Sequence, residues 1–250
     1  MTILLQPLKV RSVPSYYRLI QHVILAAPLL FASRPARAQQ DDEQLWLQIN
    51  TNVPLGSKWR VTVEQIARFS DRQNGLFQTE LGGIFGYRLS KHFEVGAGYR
   101  WVAAYNGNTA ANENRVRQHI IATFGGFTGR LRVDERFNPR GNEIGFRIRP
   151  LLRYNYRIGP NGWGLYASHE SFWLPNSTSW GQRRGYERMR NMIGATVPVS
   201  RQISLDVGYL NQYRPSHRGS VAQMDHAMSL QMTINLAGHM ASHPTSNTDD

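Results

Sequence analysis

Between Gly145 and Gly159 the chain reads GFRIRPLLRYNYRIG, and its bulky and basic residues separate by parity. Phe146, Ile148, Leu152, Tyr154, Tyr156 and Ile158 fall on even positions, and Arg147, Arg149, Arg153 and Arg157 on odd ones. On a helix, residues two apart stand about 200° apart around the axis, so both sets would scatter. A strand collects each set on one face. The segment is therefore extended, apolar on one side and cationic on the other.

The same period of two recurs along the chain, at about 44–53, 58–69, 76–89, 93–105, 113–124, 127–138, 143–158, 163–174, 183–199, 202–213 and 222–236. Most of these segments exceed the five or six residues common in globular strands and match the roughly 9–11 that a tilted strand needs to cross a bilayer. Their connections alternate in length. Short turns occur at PLGS, SKH, Gly125-Gly126, GPNG and SRQ; longer polar loops occur at SDRQNG, NGNTAAN, NPRGN, PNSTSWGQ and RPSHRGSV. Short turns at one end and long loops at the other are the pattern of an all-β, antiparallel, up-and-down transmembrane β-barrel, here of about 10–12 strands. Trp59 and Trp163 open strands after short turns, whereas Trp101 and Trp173 lie near the ends that lead into long loops. These four fit two membrane girdles; the competing arrangement is a sandwich whose core takes the aromatics.

Single-chain bacterial barrels use even strand numbers, and eleven candidates also put the start of the first strand at the long-loop end. Either one strand is missed or the first segment lies outside the barrel, so ten or twelve strands are expected.

Composition narrows the location. The chain has 250 residues, no cysteine, and 29 basic against 17 acidic residues, a net charge of +12. An excess of this kind suits nucleic acid, but residues 1–38 have the form of a cleaved secretory signal peptide. Lys9, Arg11 and Arg18 precede the mostly apolar LIQHVILAAPLLFA, and Ala36-Arg37-Ala38 supplies the small-x-small cleavage pattern. Removing its five basic residues leaves 24 against 17 acids, a net +7. Residues 39–236 then form the barrel domain, and the patternless AGHMASHPTSNTDD, 237–250, a disordered polar tail.

Arginine faces appear on other segments. Arg130, Arg132, Asp134 and Arg136 oppose Leu131, Val133 and Phe137; Arg60, Glu64 and Arg68 oppose Trp59, Val61 and Val63; Arg188 and Arg190 oppose Met189 and Ile193. Guanidinium on a lipid face costs about 2–4 kcal/mol at mid-bilayer, so the basic faces line the interior. There they pair with Glu64, Asp134, Glu170 and Asp206. Barrels of about eight strands are filled by side chains and those of about sixteen or more leave a channel. Ten to twelve strands leave both a plugged interior and a narrow anion-favouring, porin-like lumen open.

Catalysis is not expected. SHESFW, 168–173, gathers Ser168, His169, Glu170 and Ser171, but neighbours on a strand face opposite sides, so only His169 and Ser171 share a face. No histidine spacing suggests a metal site, no cysteine is available as a ligand, and no helix follows the glycines of GGIFGYRL or GAGYRW to make a phosphate cradle. Neither cofactor nor metal is expected, and those glycines relieve crowding or bend a strand.

Several stretches resemble the bacterial outer-membrane-barrel family called domain of unknown function 2490: ENRVRQHIIATFGGFTGRLRVDERF, FRIRPLLRYNYRI, WGLYASHESFW and LDVGYLNQYRPSHRGSVAQMDHAMSLQMTINL. The shared features fall on Glu113 and Arg115; on Arg130, Arg132, Asp134, Arg136 and Phe137; on Gly208, Tyr209 and Gln212; and on His226. Asp134 stands where the family usually has Glu, and the polar tail departs from the usual aromatic barrel ending. The resemblance implies an outer-membrane barrel and no particular activity. The partners expected are outer-membrane lipid, the barrel assembly machinery and small anions, not nucleic acid. The alternatives are a lipid-modifying outer-membrane barrel enzyme and a soluble periplasmic β protein that binds acidic ligands.

Overall fold

The computed structural model describes residues 39–106, 112–159, 162–217 and 220–236. The segments read as signal peptide and polar tail lie outside the described residues. The strands are β1 (Gln39–Leu55), β2 (Trp59–Ser70), β3 (Gly75–Arg88), β4 (Phe93–Ala104), β5 (Glu113–Phe124), β6 (Phe127–Phe137), β7 (Ile144–Ile158), β8 (Trp163–Leu174), β9 (Gly185–Pro198), β10 (Ile203–Arg214) and β11 (Ala222–Asn235). Each pairs antiparallel with its neighbours in sequence, and β1 pairs with β11 to close a barrel.

The expected ten or twelve strands are corrected to eleven. Every alternating segment is a strand, and the first belongs to the wall. An odd number of up-and-down strands brings the first and last into the same direction, so the β1–β11 seam is parallel, from Gln39↔Ala222 to Asn52↔Asn235. The structure keeps the direction that eleven candidates imply: β1 starts at the rim of long loops and β11 ends at the rim of short turns. β1 begins earlier than its alternation, because the polar run Gln39–Glu43 pairs with 222–226 of β11.

The wall is inverted relative to a soluble protein. Leu81, Phe85, Leu131, Leu152, Leu165, Ile193 and Met228 point outward and are exposed, whereas Glu64, Arg100, Arg117, Arg132, Asp134 and Arg149 point inward and are buried. Parity alone separates the two sets. Trp59, Trp101, Trp163 and Trp173 are all exposed on the outer face. Trp59 stacks on Phe85 at 4.7 Å between centroids, beside further outward aromatics at the short-turn rim.

Glycines mark places where the wall has no room for a Cβ. A Cβ on Gly98 would stand 2.1 Å from Gly83 O, and one on Gly82 2.5 Å from Tyr99 O. These are the crowded glycines of GGIFGYRL and GAGYRW. On the far wall, Tyr166 of β8 lies inward across Gly194 and Gly208; a Cβ on either would approach Tyr166 Oη to 2.6 or 2.5 Å. Gly208→Ala is expected to cost about 1–3 kcal/mol by overpacking, read as a lower urea midpoint of the barrel in detergent. Tyr166→Phe, which removes Oη, should recover part of the loss; an unchanged midpoint for Gly208→Ala would place Tyr166 elsewhere.

Candidate functional site: an ion-paired interior, a basin and an outward polar cluster

The interior is built from arginines that share carboxylates. Arg149 of β7 makes a forked contact with Glu170 of β8, from Nε at 3.0 Å and Nη2 at 2.8 Å. Arg130 of β6 donates to the same carboxylate at 2.8 Å, and Arg190 of β9 approaches it at 3.9 Å. Asp134 accepts from Arg147 at 2.8 and 3.0 Å and lies 3.1 Å from Arg132 and 3.5 Å from Arg149. Glu64 on β2 pairs with Arg100 at 2.9 Å and with Arg117 of β5. Glu80 takes Arg100 at 2.7 Å and Arg68 at 3.2 Å, and Glu94 takes Arg60 at 2.5 Å. Arg153 reaches from β7 to Asp206 on β10, 2.9 Å away. The last contact and the Arg117–Glu64 pair each skip two strands and tie separated parts of the wall across the interior.

Aromatic rings occupy the spaces between guanidinium groups. Arg149 lies 4.3 Å from the Phe172 centroid, Arg68 4.2 Å from that of Trp46, and Arg153 3.8 Å from that of Tyr166. Arg190 stands 4.7 Å from both Phe172 and Trp46, sandwiched between strands on opposite sides of the seam. Cation–π contact strengthens where water is excluded. Glu64, Arg132 and Asp134 have 0% exposure, so no water-sized space touches them. At that level the interior is filled.

Of the sequence-selected interior residues, Arg60, Glu64, Arg68, Arg130, Arg132, Asp134, Arg136, Arg147, Arg149, Arg153, Glu170, Arg188 and Arg190 face inward. Arg157 keeps the inward parity and is exposed at the short-turn end of β7, beyond the packed region. Sequence reasoning did not single out Arg100, Arg117, Glu80, Glu94 or Trp46. All five carry the inward parity of their strands, the signal that would have found them.

At the long-loop rim the interior opens into a basin of about 1290 Å³. Arg136, Arg183, Arg184, Arg188 and Arg214 line it, together with Glu113, Glu187 and Trp180. Arg136 forks onto Glu113 at 2.7 and 2.8 Å and lies 5.0 Å from the Trp180 centroid. The register between β8 and β9 shifts at Phe172/Trp173, where Glu187 is the extra residue. Glu187 contacts Arg188 at 2.5 Å and approaches Arg147 at 3.8 Å.

On the outer face, the shared parity of His169 and Ser171 becomes a contact: His169 Nε2 lies 3.0 Å from Ser171 Oγ. Asn191, directly opposite His169 on β9, places Oδ1 2.7 Å from His169 Nδ1. The chain from 168 to 191 thus brings three polar groups together that the local sequence shows only as a pair.

A closed barrel of eleven strands, apolar outside and ion-paired within, defines the class to which this protein belongs. The family model described as protein of unknown function (DUF2490) matches residues 43–223, and the chain belongs to that family. It is also 30% identical over 236 residues to an uncharacterized protein of Methylorubrum extorquens, covering 86% of this chain and 99% of that one. No solved structure matches.

Glu170→Gln removes a negative charge shared by several buried guanidinium groups and should cost about 3–5 kcal/mol, the usual penalty for breaking a buried ion pair. Arg157→Gln, at the exposed rim, should stay within about 0.5 kcal/mol of the wild type. Denaturant midpoints of the two variants in one detergent check the contrast, and equal midpoints would contradict a filled interior.

Proposed function

We propose that this protein spans the outer membrane of a Gram-negative bacterium as a barrel that does not conduct ions. The observation that carries this reading is the inversion of the wall. Leu152 is 55% exposed and Ile193 61% exposed, on a face that continues around the barrel, while charged side chains are buried inside. Exposed apolar surface of this extent is unfavourable in water and favourable in lipid. The exposed tryptophans near both rims support the same placement, since indole prefers the membrane interface. The outward Glu135 lies near the long-loop end of β6 and accepts a hydrogen bond from Gln118 at 3.0 Å, a position an interface tolerates.

The filled interior favours the structural over the channel reading. A conducting path needs water along its length, and the shared carboxylates occupy that path. The cationic basin remains as a place where anions would collect at one rim.

Mature protein is expected to fractionate with the outer membrane, to need detergent, and to migrate differently on gels when heated. Recovery as a soluble periplasmic monomer would refute the membrane reading. Leu152→Arg should impair assembly, because it sets a charge in lipid at a cost of about 2–4 kcal/mol at mid-bilayer; normal yield of folded Leu152→Arg would mean that this face does not touch a bilayer.

In planar bilayers the wild type should carry no steady current. The double variant Arg149→Glu/Arg153→Glu should be less stable and also silent, since the new carboxylates would face Glu170 and Asp206. A stable anion-selective conductance in the wild type, reversed in the double variant, would establish an open lumen instead.

A further inference from the structure

His169, Ser171 and Asn191 are polar side chains on an outward surface otherwise formed by residues such as Leu152, Met189, Ile193 and Trp173. Their order is hydroxyl, imidazole, amide oxygen. An amide oxygen only accepts, so the proton of a neutral ring belongs on Nδ1, which donates to Asn191 Oδ1 at 2.7 Å. Nε2 is then left with its lone pair and accepts from the Ser171 hydroxyl at 3.0 Å. A serine nucleophile needs this relation: a base in contact with the hydroxyl and a third group that orients the base. A wall that only had to meet lipid would be cheaper with apolar residues at these positions.

We propose that His169 and Ser171, positioned by Asn191, form the catalytic site of a hydrolase that cleaves acyl esters of membrane lipids. The choice of substrate rests on the membrane-spanning reading above. Ser171 lies two residues from Trp173 on β8, roughly 7 Å along the strand. With the indole at the headgroup level, the hydroxyl stands just below it, where acyl-ester linkages lie. Leu152 is opposite His169 on β7, and Ile193 is the next outward residue after Asn191 on β9. Both offer apolar surface to an acyl chain. The register shift at Phe172/Trp173 is adjacent to Ser171, and such irregularities re-aim side chains near reactive groups.

Ser171 Oγ attacks the ester carbonyl carbon while its proton passes to His169 Nε2. The bond from that carbon to the lipid alcohol oxygen breaks, and the alcohol leaves with the proton. Water, deprotonated by His169, then attacks the acyl-serine; its ester bond breaks, Ser171 regains a proton and a fatty acid departs. Asn191 holds the Nδ1 tautomer and the ring orientation throughout without adding a charge.

The test uses full-length protein, refolded in detergent and checked for heat-modifiable migration. It is reconstituted separately into vesicles of phosphatidylethanolamine with phosphatidylglycerol, and into the same vesicles containing lipid A. Fatty-acid release identifies the source of the ester. A fluorophosphonate probe and a soluble nitrophenyl ester in detergent report on the nucleophile itself. The wild type should release fatty acid in at least one vesicle arm and carry the probe on Ser171. Ser171→Ala should abolish both, and His169→Ala should slow both at least about a hundredfold. Asn191→Ala should lower kcat about tenfold or more with KM unchanged, and Asn191→Asp should restore most of the rate. Folded wild type with no label at Ser171 and no release in any arm would overturn the proposal, as would full turnover by Ser171→Ala. Label and soluble-ester turnover in protein that does not fractionate with membrane would refute the membrane reading and leave the catalytic site standing.

Discussion

A guanidinium group does not shed its proton inside a protein, so a barrel that turns arginines inward must supply each buried one with a carboxylate, a ring or an amide. That requirement organises this structure. An eleven-stranded cylinder lies between barrels narrow enough to fill with ordinary side chains and those wide enough to leave a channel. Arginine is long enough to meet a partner across it. Arg117 reaches from β5 to Glu64 on β2, and Arg153 from β7 to Asp206 on β10. Sharing makes the arrangement economical in acids: Glu170 and Asp134 each serve several arginines. Exchanging the two faces of any strand would place charge on the apolar outer face and leave the shared carboxylates without partners. Register and charge pattern therefore specify one another.

A packed interior leaves the rim and the outer face as the surfaces that other molecules can reach. Two such surfaces are the arginine-lined basin and the outward cluster on β8 and β9. They differ in kind. The basin is broad, lined by arginines and open at the rim. The cluster is small and directional, and its hydrogen bonds select one histidine tautomer.

Alternation made most of the wall legible in the sequence, because burial in a barrel reduces to parity: Arg147, Arg149 and Arg153 face inward as their positions imply. Parity carries no depth, which is why Arg157 follows the pattern and still ends exposed, past the packed region. Nor does it carry contacts between distant strands, so the partners of Glu64 and Asp206 could be named by charge but not assigned. The even-number rule failed for another reason. It describes how barrels usually close, and nothing in the local pattern of Gln39–Leu55 shows that its neighbour is β11 running in the same direction. Asn191 was missed in the same way: it is 20 positions after Ser171 in sequence and meets His169 only through the pairing of β8 with β9.

The parallel seam has a consequence for how the barrel is made. Every other pairing joins strands that are consecutive in the chain and can zip from a turn. The seam joins Gln39–Asn52 to Ala222–Asn235 and closes a loop of nearly the whole domain. Loop-closure entropy makes such a contact the slowest to find, and parallel pairs are slightly weaker per residue than antiparallel ones. The curved sheet from β1 to β11 should therefore assemble first as an open ribbon and lock last along this line. The side-chain bond from Asn52 to Asn235, 2.9 Å long, and the backbone bond from Leu236 to Asn52, 3.0 Å long, form its latch at the short-turn rim. The same line is where a finished barrel would part first under load, like the lap joint of a rolled tube.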